Sequence, residues 1–183
     1  MEKIQWVLDP THSEIGFKVK HLMMTNVHGN FNQFNMNMHT SGEDFSSAQV
    51  DFSIQMKSID TSNEQRDAHL LSADFFDAEA HPEMIFKSTA VSKTDDHNFQ
   101  INGELTIKQI THPITLKAEF GGIHKDPWGN LKAGFSVEGK MNRKDFGLTW
   151  NAPLETGGVL ISEDVKLYAE IQLVKTMPEA QQA

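Results

Sequence analysis

Nine histidines are the first residues in this chain whose type could do chemistry, since imidazole ligates metals and moves protons near neutral pH. They stand at positions 12, 21, 28, 39, 69, 81, 97, 112 and 124. No pair has the i, i+4 spacing of a helical zinc site, and none forms an H-x-H on a strand. The spacing argues for solvated or hydrogen-bonded histidines, with no resident metal and no cofactor. Asp9, His12 and Ser13 supply the three types of a hydrolase triad. So few extended residues cannot fold back to give the nucleophile–base and base–acid contacts together, and no G-x-S-x-G elbow occurs. Asp9-Pro10 reads instead as a turn and His12-Ser13 as the start of a strand. Gly121-Gly122 and Gly157-Gly158 precede no helix, so they read as bulges or bends of curved strands rather than as a phosphate cradle.

The arginines say more. Of sixteen basic residues only Arg66 and Arg143 are Arg, and their planar fork suits bidentate contact with a carboxylate or phosphate. Each has two readings: an internal salt bridge, with Asp67, Asp74 or Asp145, or a position facing the polar head of a ligand. A further set is large and flexible: Phe17, Phe34, Met36 and Met38, then Phe52, Met56 and Phe86, then Phe135 and Met141. Phe and Met line adaptable apolar pockets, and they also fill cores.

The elements that carry these residues are mostly strands. Period-two alternation runs through residues 14–20, 34–39, 50–57, 99–108, 114–120, 131–141 and 165–173. With Ile4 to Leu8 and a more mixed segment from Met84 to Val91, this makes eight or nine strands. Short polar turns such as Asp95-Asp96-His97-Asn98 join most of them, so neighbours should be antiparallel. An antiparallel meander apolar on one face closes into a barrel or folds into a two-sheet sandwich. The barrel is favoured because closure removes exposed edges. One stretch breaks the alternation: Thr61-Ser62-Asn63-Glu64 fits a capping box with Thr61 as N-cap, opening a short helix to about Ser72 anchored by Leu70 and Leu71. The expected organisation is a single domain over residues 1–175 and a disordered tail over 176–183.

Composition bounds the function. The chain has 183 residues, 16 Lys plus Arg against 25 Asp plus Glu, a formal charge of −9 and no Cys. That charge argues against nucleic acid as a partner and against docking on anionic membranes. The absence of Cys excludes thiolate catalysis and Cys-ligated zinc. No apolar run is long enough for stable membrane insertion. The first residues, Met1-Glu2-Lys3-Ile4-Gln5-Trp6, lack an apolar h-region and a small-residue cleavage site, which reads as a cytoplasmic location if Met1 is the native start and as a periplasmic one if the chain is a mature form.

Several motifs taken together resemble the YceI-like family of lipid-binding proteins. They are Trp6-x-x-Asp9-Pro10-x-His12-Ser13, Phe17-x-Val19-x-His21, Val27-x-Gly29-x-Phe31, Ser58-Ile59-x-Thr61 and Arg66-Asp67-x-His69-Leu70. They continue with Asp74-Phe75-Phe76-Asp77, Pro82-x-Met84-x-Phe86-x-Ser88, Gly103-x-Leu105-Thr106-Ile107 and Asn142-Arg143-x-Asp145-Phe146-Gly147. The resemblance runs from about Trp6 to Val174. It implies an all-β, extended antiparallel lipocalin-like β-barrel of about eight strands with one short helix. Its interior would hold a polyisoprenoid lipid, of the isoprenoid quinone or prenyl diphosphate class. Many members of that family carry a secretory signal, which this chain lacks. Family members usually have Gly after the Leu-Thr-Ile run, where this chain has Lys108-Gln109-Ile110, so a local turn difference is expected.

The ligand-binding residues this implies fall into two groups. The apolar wall comprises Phe17, Val19, Phe34, Met36, Phe52 and Ile54, followed by Met56, Phe86, Leu105 and Ile107, and finally Leu116, Phe135 and Val137. The head-group donors are His21 at a strand end, Arg66 and His69 sharing a helix face at i, i+3, and Arg143. The leading expectation is a non-enzymatic binding and carrier protein. The alternative is an enzyme acting on an apolar substrate with His21, His69 and Arg66 as acid–base groups, which requires them to converge on one point. A homodimer is left open.

Overall fold

A computed structural model describes residues 2–155 and 158–176. Eleven strand segments make one antiparallel sheet: β1 (Lys3–Leu8), β2 (Glu14–His21), β3 (Thr25–Phe31), β4 (Phe34–Ser41), β5 (Asp44–Gln55), β6 (Ile59–Asp60), β7 (Glu83–Lys93), β8 (Asn98–Ile107), β9 (Ile110–Lys125), β10 (Leu131–Asn142) and β11 (Ile161–Thr176). Strands β1, β4, β5, β7, β8, β9, β10 and β11 close a ring of eight, because β1 pairs with both β4 and β11. That closure decides for the barrel over the sandwich. The two segments beyond the nine expected, β3 and β6, fall outside the alternating stretches: β3 has a glycine at one of its buried positions and β6 is only two residues long.

The ring is forked. Asp9 caps a turn of 3-10 helix, Pro10–His12, that separates β1 from β2. Both strands still pair with β11, β1 through Gln5 to Leu8 and β2 through Glu14 to His21. From there they part: β1 continues the ring into β4, whereas β2 leads to β3 and the short β6. One end of the barrel is thus a closed ring and the other is splayed. Ser13 locks the fork, its Oγ accepting from the Gln172 amide at 3.0 Å. His12 Nδ1 lies 2.9 Å from Asp9 Oδ2, but the Ser13 hydroxyl bonds the Gln172 backbone and not His12, so no triad forms.

The closed end is plugged by aromatic rings. Phe45, on β5, is buried with its ring centroid 4.9 Å from Phe120, 5.2 Å from Trp6 and 5.2 Å from Phe135. Trp6 is wholly buried and its indole N–H donates to Thr40 Oγ1 at 2.9 Å, so the polar edge of the largest core side chain is satisfied. The register slips opposite Gly134, where Gly122 adopts φ 100°, and this bulge curves β9 as the glycine pair predicts.

The splayed end carries the one α-helix among the described residues, α1 (Glu64–Leu71). Its N-cap is Asn63, not Thr61: Asn63 Oδ1 accepts from the Arg66 amide at 3.0 Å. Thr61 is occupied elsewhere, its hydroxyl donating to Asp67 Oδ1 at 2.5 Å, so Glu64 becomes the first helical residue rather than the third. No residue of α1 is fully buried, and the helix sits on partly buried Leu70 and Leu71 as its anchors. Thr176, placed in the tail by sequence, is the last residue of β11 and pairs with Gln5. Residues 177–183 of that expected tail, and Gly157 of the second glycine pair, lie outside the described residues. No helix among the described residues is long and apolar enough to cross a membrane.

Candidate ligand cavity

Inward-facing side chains of the barrel do not meet across its centre. They enclose a cavity of about 440 Å³, within the range of roughly 300–1,000 Å³ that ligand pockets occupy. Its wall follows β11 from Ile161 to Ile171, about 30 Å of strand at the usual rise per residue. The void is therefore elongated, running from the aromatic plug toward the splayed end.

Local packing explains the wall. Gly29 faces Phe17 across the β2–β3 ladder, and Gly103 lies beside Phe86 on the neighbouring strand. A Cβ at either glycine would overlap the phenylalanine ring, so both rings lie over bare backbone and still reach the cavity. Phe17, Val19, Met36, Phe52, Ile54 and Phe86 line it from one side. Leu105, Leu116, Phe135 and Val137 line it from the other.

Three expected wall residues lie elsewhere. Met56 and Ile107 are each 1% exposed and pack into the solid core, because they fall at strand ends where the barrel is filled. Phe34 sits at the fork, stacked on Phe52 with centroids 6.0 Å apart, and borders a separate recess among Asn30, Asn32 and Gln33.

The polar candidates gather at the splayed end. Arg66 and His69 of α1, His21 at the end of β2, and Arg143 after β10 all border the cavity. Arg66 makes no salt bridge among the described residues. Its Nε donates to Thr61 Oγ1 at 2.8 Å and its Nη2 to the Thr61 carbonyl at 2.6 Å, which leaves Nη1 without a protein acceptor among them. His69 Nε2 lies 3.0 Å from Asp74 Oδ2, and its ring meets Trp150 edge-on at 4.7 Å. Arg143 departs from both expectations. It is 3% exposed, and its fork is spent on the carbonyls of Leu148, Trp150, Ile161 and Ser162 at 2.7 to 3.4 Å. Burial pushes its pKa down from the ordinary value, with Glu163 opposing. Arg143 is thus a clamp on the segment that rims the mouth, with little of its fork left for a ligand.

Sequence reasoning missed Phe45, Phe75, Phe76, Trp150, Leu160 and Ile161, which also border the cavity. Phe75 and Phe76 stand out in sequence only within the Asp74-Phe75-Phe76-Asp77 motif, and the segment 148–161 has no alternation to reveal which side chains turn inward. Among the described residues no three His, Asp or Glu side chains group as a metal site requires.

Residues 6–173 match the model of the YceI-like domain. The chain belongs to the YceI-like family. This YceI-like chain is 42% identical over 165 residues to a UPF0312 protein of Staphylococcus epidermidis, covering 90% of this chain and 94% of that one. It superposes on the YCEI protein of Campylobacter jejuni with a TM-score of 0.75 and 34% identity, covering 92% and 96% of the two chains. A domain of Saccharophagus degradans described as polyisoprenoid binding shares the fold at a TM-score of 0.64 and 12% identity, covering 93% and 98%. The lipocalin-like barrel expected from the motifs is the fold this YceI-like protein has.

Proposed function

We propose that this YceI-like protein is a non-enzymatic binding and carrier protein for a polyisoprenoid lipid, an isoprenoid quinone or a prenyl diphosphate. The observation that carries this reading is the elongated, mostly apolar cavity with His21, Arg66, His69 and Arg143 bordering its splayed end. Each CH2 withdrawn from water stabilises a complex by about 0.8 kcal/mol, so a long hydrocarbon chain needs no specific donor along most of its length. Branched methyls suit a wall of Phe, Met, Ile and Val, and the free Nη1 of Arg66 is the natural donor to a head-group oxygen. The description of the Saccharophagus degradans domain as polyisoprenoid binding agrees with this ligand class.

An enzyme at the mouth finds less support. Two of its three acid–base groups are engaged by separate structural partners, Arg66 by Thr61 and His69 by Asp74. The test is mass spectrometry of an organic extract of the purified protein. A lipid with repeating isoprenoid mass spacing, present near one per protein, is expected. A protein that is folded, free of lipid and unable to take up an added polyprenyl lipid refutes the proposal.

A further inference from the structure

The β2–β3 hairpin ends in three consecutive apolar residues. Leu22, Met23 and Met24 are 38%, 63% and 77% exposed. Leu22 and Met23 adopt φ 55° and 56°, a left-handed conformation that hairpin turns ordinarily fill with Asn or Gly. Both choices oppose stability: the backbone is strained and the side chains are wet. Such strain at an exposed apolar tip points to a use outside the folded monomer.

Position and charge say what that use is. The tip adjoins the cavity mouth. Leu22 N–H donates to the Leu160 carbonyl at 2.8 Å, His21 pairs with Ile161, and His21, Leu160 and Ile161 all border the cavity. Val159, 38% exposed, extends the apolar rim. The hairpin also belongs to a basic stretch of an acidic chain. Residues 15–42 contain no Asp or Glu but include Lys18, Lys20, His21 and His28. Neither Lys18 nor Lys20 pairs with a carboxylate among the described residues; Lys18 Nζ lies over the Tyr168 ring. The net charge of −9 that argues against anionic membranes is therefore not the charge this hairpin presents. An apolar tip backed by lysines is the arrangement that enters an anionic lipid interface.

We propose that Leu22-Met23-Met24 docks reversibly on the surface of an anionic bilayer, bringing the cavity mouth against the lipid. A lipid guest then passes between membrane and barrel without crossing water. That last clause rests on the carrier reading, whereas docking itself does not.

The test is flotation of the full chain with vesicles of phosphatidylcholine alone and of phosphatidylcholine with phosphatidylglycerol at two to one. The wild type is expected to float with the anionic vesicles and to release in high salt. Met23→Asn with Met24→Ser should cut the bound fraction at least about fivefold while the Tm holds or rises, since Asn tolerates the turn. Lys18→Gln with Lys20→Gln should remove the preference for phosphatidylglycerol, each lysine near an anionic surface being worth roughly fivefold. Absence of flotation overturns the proposal, as does equal flotation of the Met23→Asn, Met24→Ser protein. So does a solution dimer, seen by light scattering, that those two substitutions split, since the tip would then be a contact between copies. Lipid extracted from each protein separates the two readings. A protein that holds guest but ignores vesicles loses docking and keeps the carrier function; one that docks through the tip but holds no guest does the reverse.

Discussion

Asp9 and Lys132, far apart in sequence, meet at the fork of the barrel with Oδ2 and Nζ 2.6 Å apart. Burial opposes ionisation of Asp9, but hydrogen bonds from Lys132, His12 and Thr11 win and hold its carboxyl well below the usual carboxylate range. A depressed folded-state pKa contributes stability that is present above the unfolded value of about 3.9 and lost as pH falls through the folded one. Asp9→Asn should cost about 2 kcal/mol at neutral pH, the scale of a charged hydrogen bond. The difference from wild type should shrink as pH falls below about 4. Thermal melts of both proteins across that range check the sign. A gap that stays constant to the lowest pH would mean that ionised Asp9 does not support the fork.

Arg143 supports the mouth by a different route. Replacing it with Ala orphans several carbonyls between Leu148 and Ser162, and the expected loss is about 3 kcal/mol. Arg143→Lys should recover little, because one ammonium cannot span acceptors laid out for a planar fork. Denaturant midpoints of the two variants measure this. Full recovery by Lys would show that charge, not the fork, is what the loop requires.

Val137 lies half-way along the cavity on β10, and its side chain faces the void. In Val137→Trp the indole should occupy space now empty, so stability should change by less than about 1.5 kcal/mol. Retained lipid should fall at least tenfold, read by extraction and mass spectrometry. Undiminished lipid in the folded variant would place the guest outside the barrel.

The β8–β9 turn offers a test confined to the backbone. Lys108 and Gln109 form a two-residue hairpin loop with φ 53° and 64°. Gln109→Gly should raise stability by about 1 kcal/mol, since glycine accepts the left-handed conformation without steric cost. The denaturant midpoint should rise while the m-value stays fixed.

Alternation made the barrel legible, because inward and outward residues differ at nearly every strand position. It could not tell a hollow from a filled interior. Met56 and Ile107 obey the same alternation as Phe135 and Val137, yet they pack solid at strand ends, and only the spacing of opposite walls distinguishes them. The helix was legible from its polar start, but its cap was not. Thr61 and Asn63 are both good caps, and the choice fell to Asn63 because Asp67 and Arg66 engage Thr61. Arg143 was singled out by its rarity. Its role stayed hidden because its partners are backbone carbonyls, which leave no trace in residue type.

Pairing of β1 with β11 joins Gln5 to Thr176, nearly the longest separation the described chain permits. Ring closure therefore waits until β11 has left the ribosome, and until then the greasy faces of seven strands lack their last neighbour. Contacts so distant in sequence place the protein among slow folders, exposed to aggregation while incomplete. A nascent chain stalled before Val165 should be a client for chaperones, and a guest present during synthesis would find the open sheet before it found a tube.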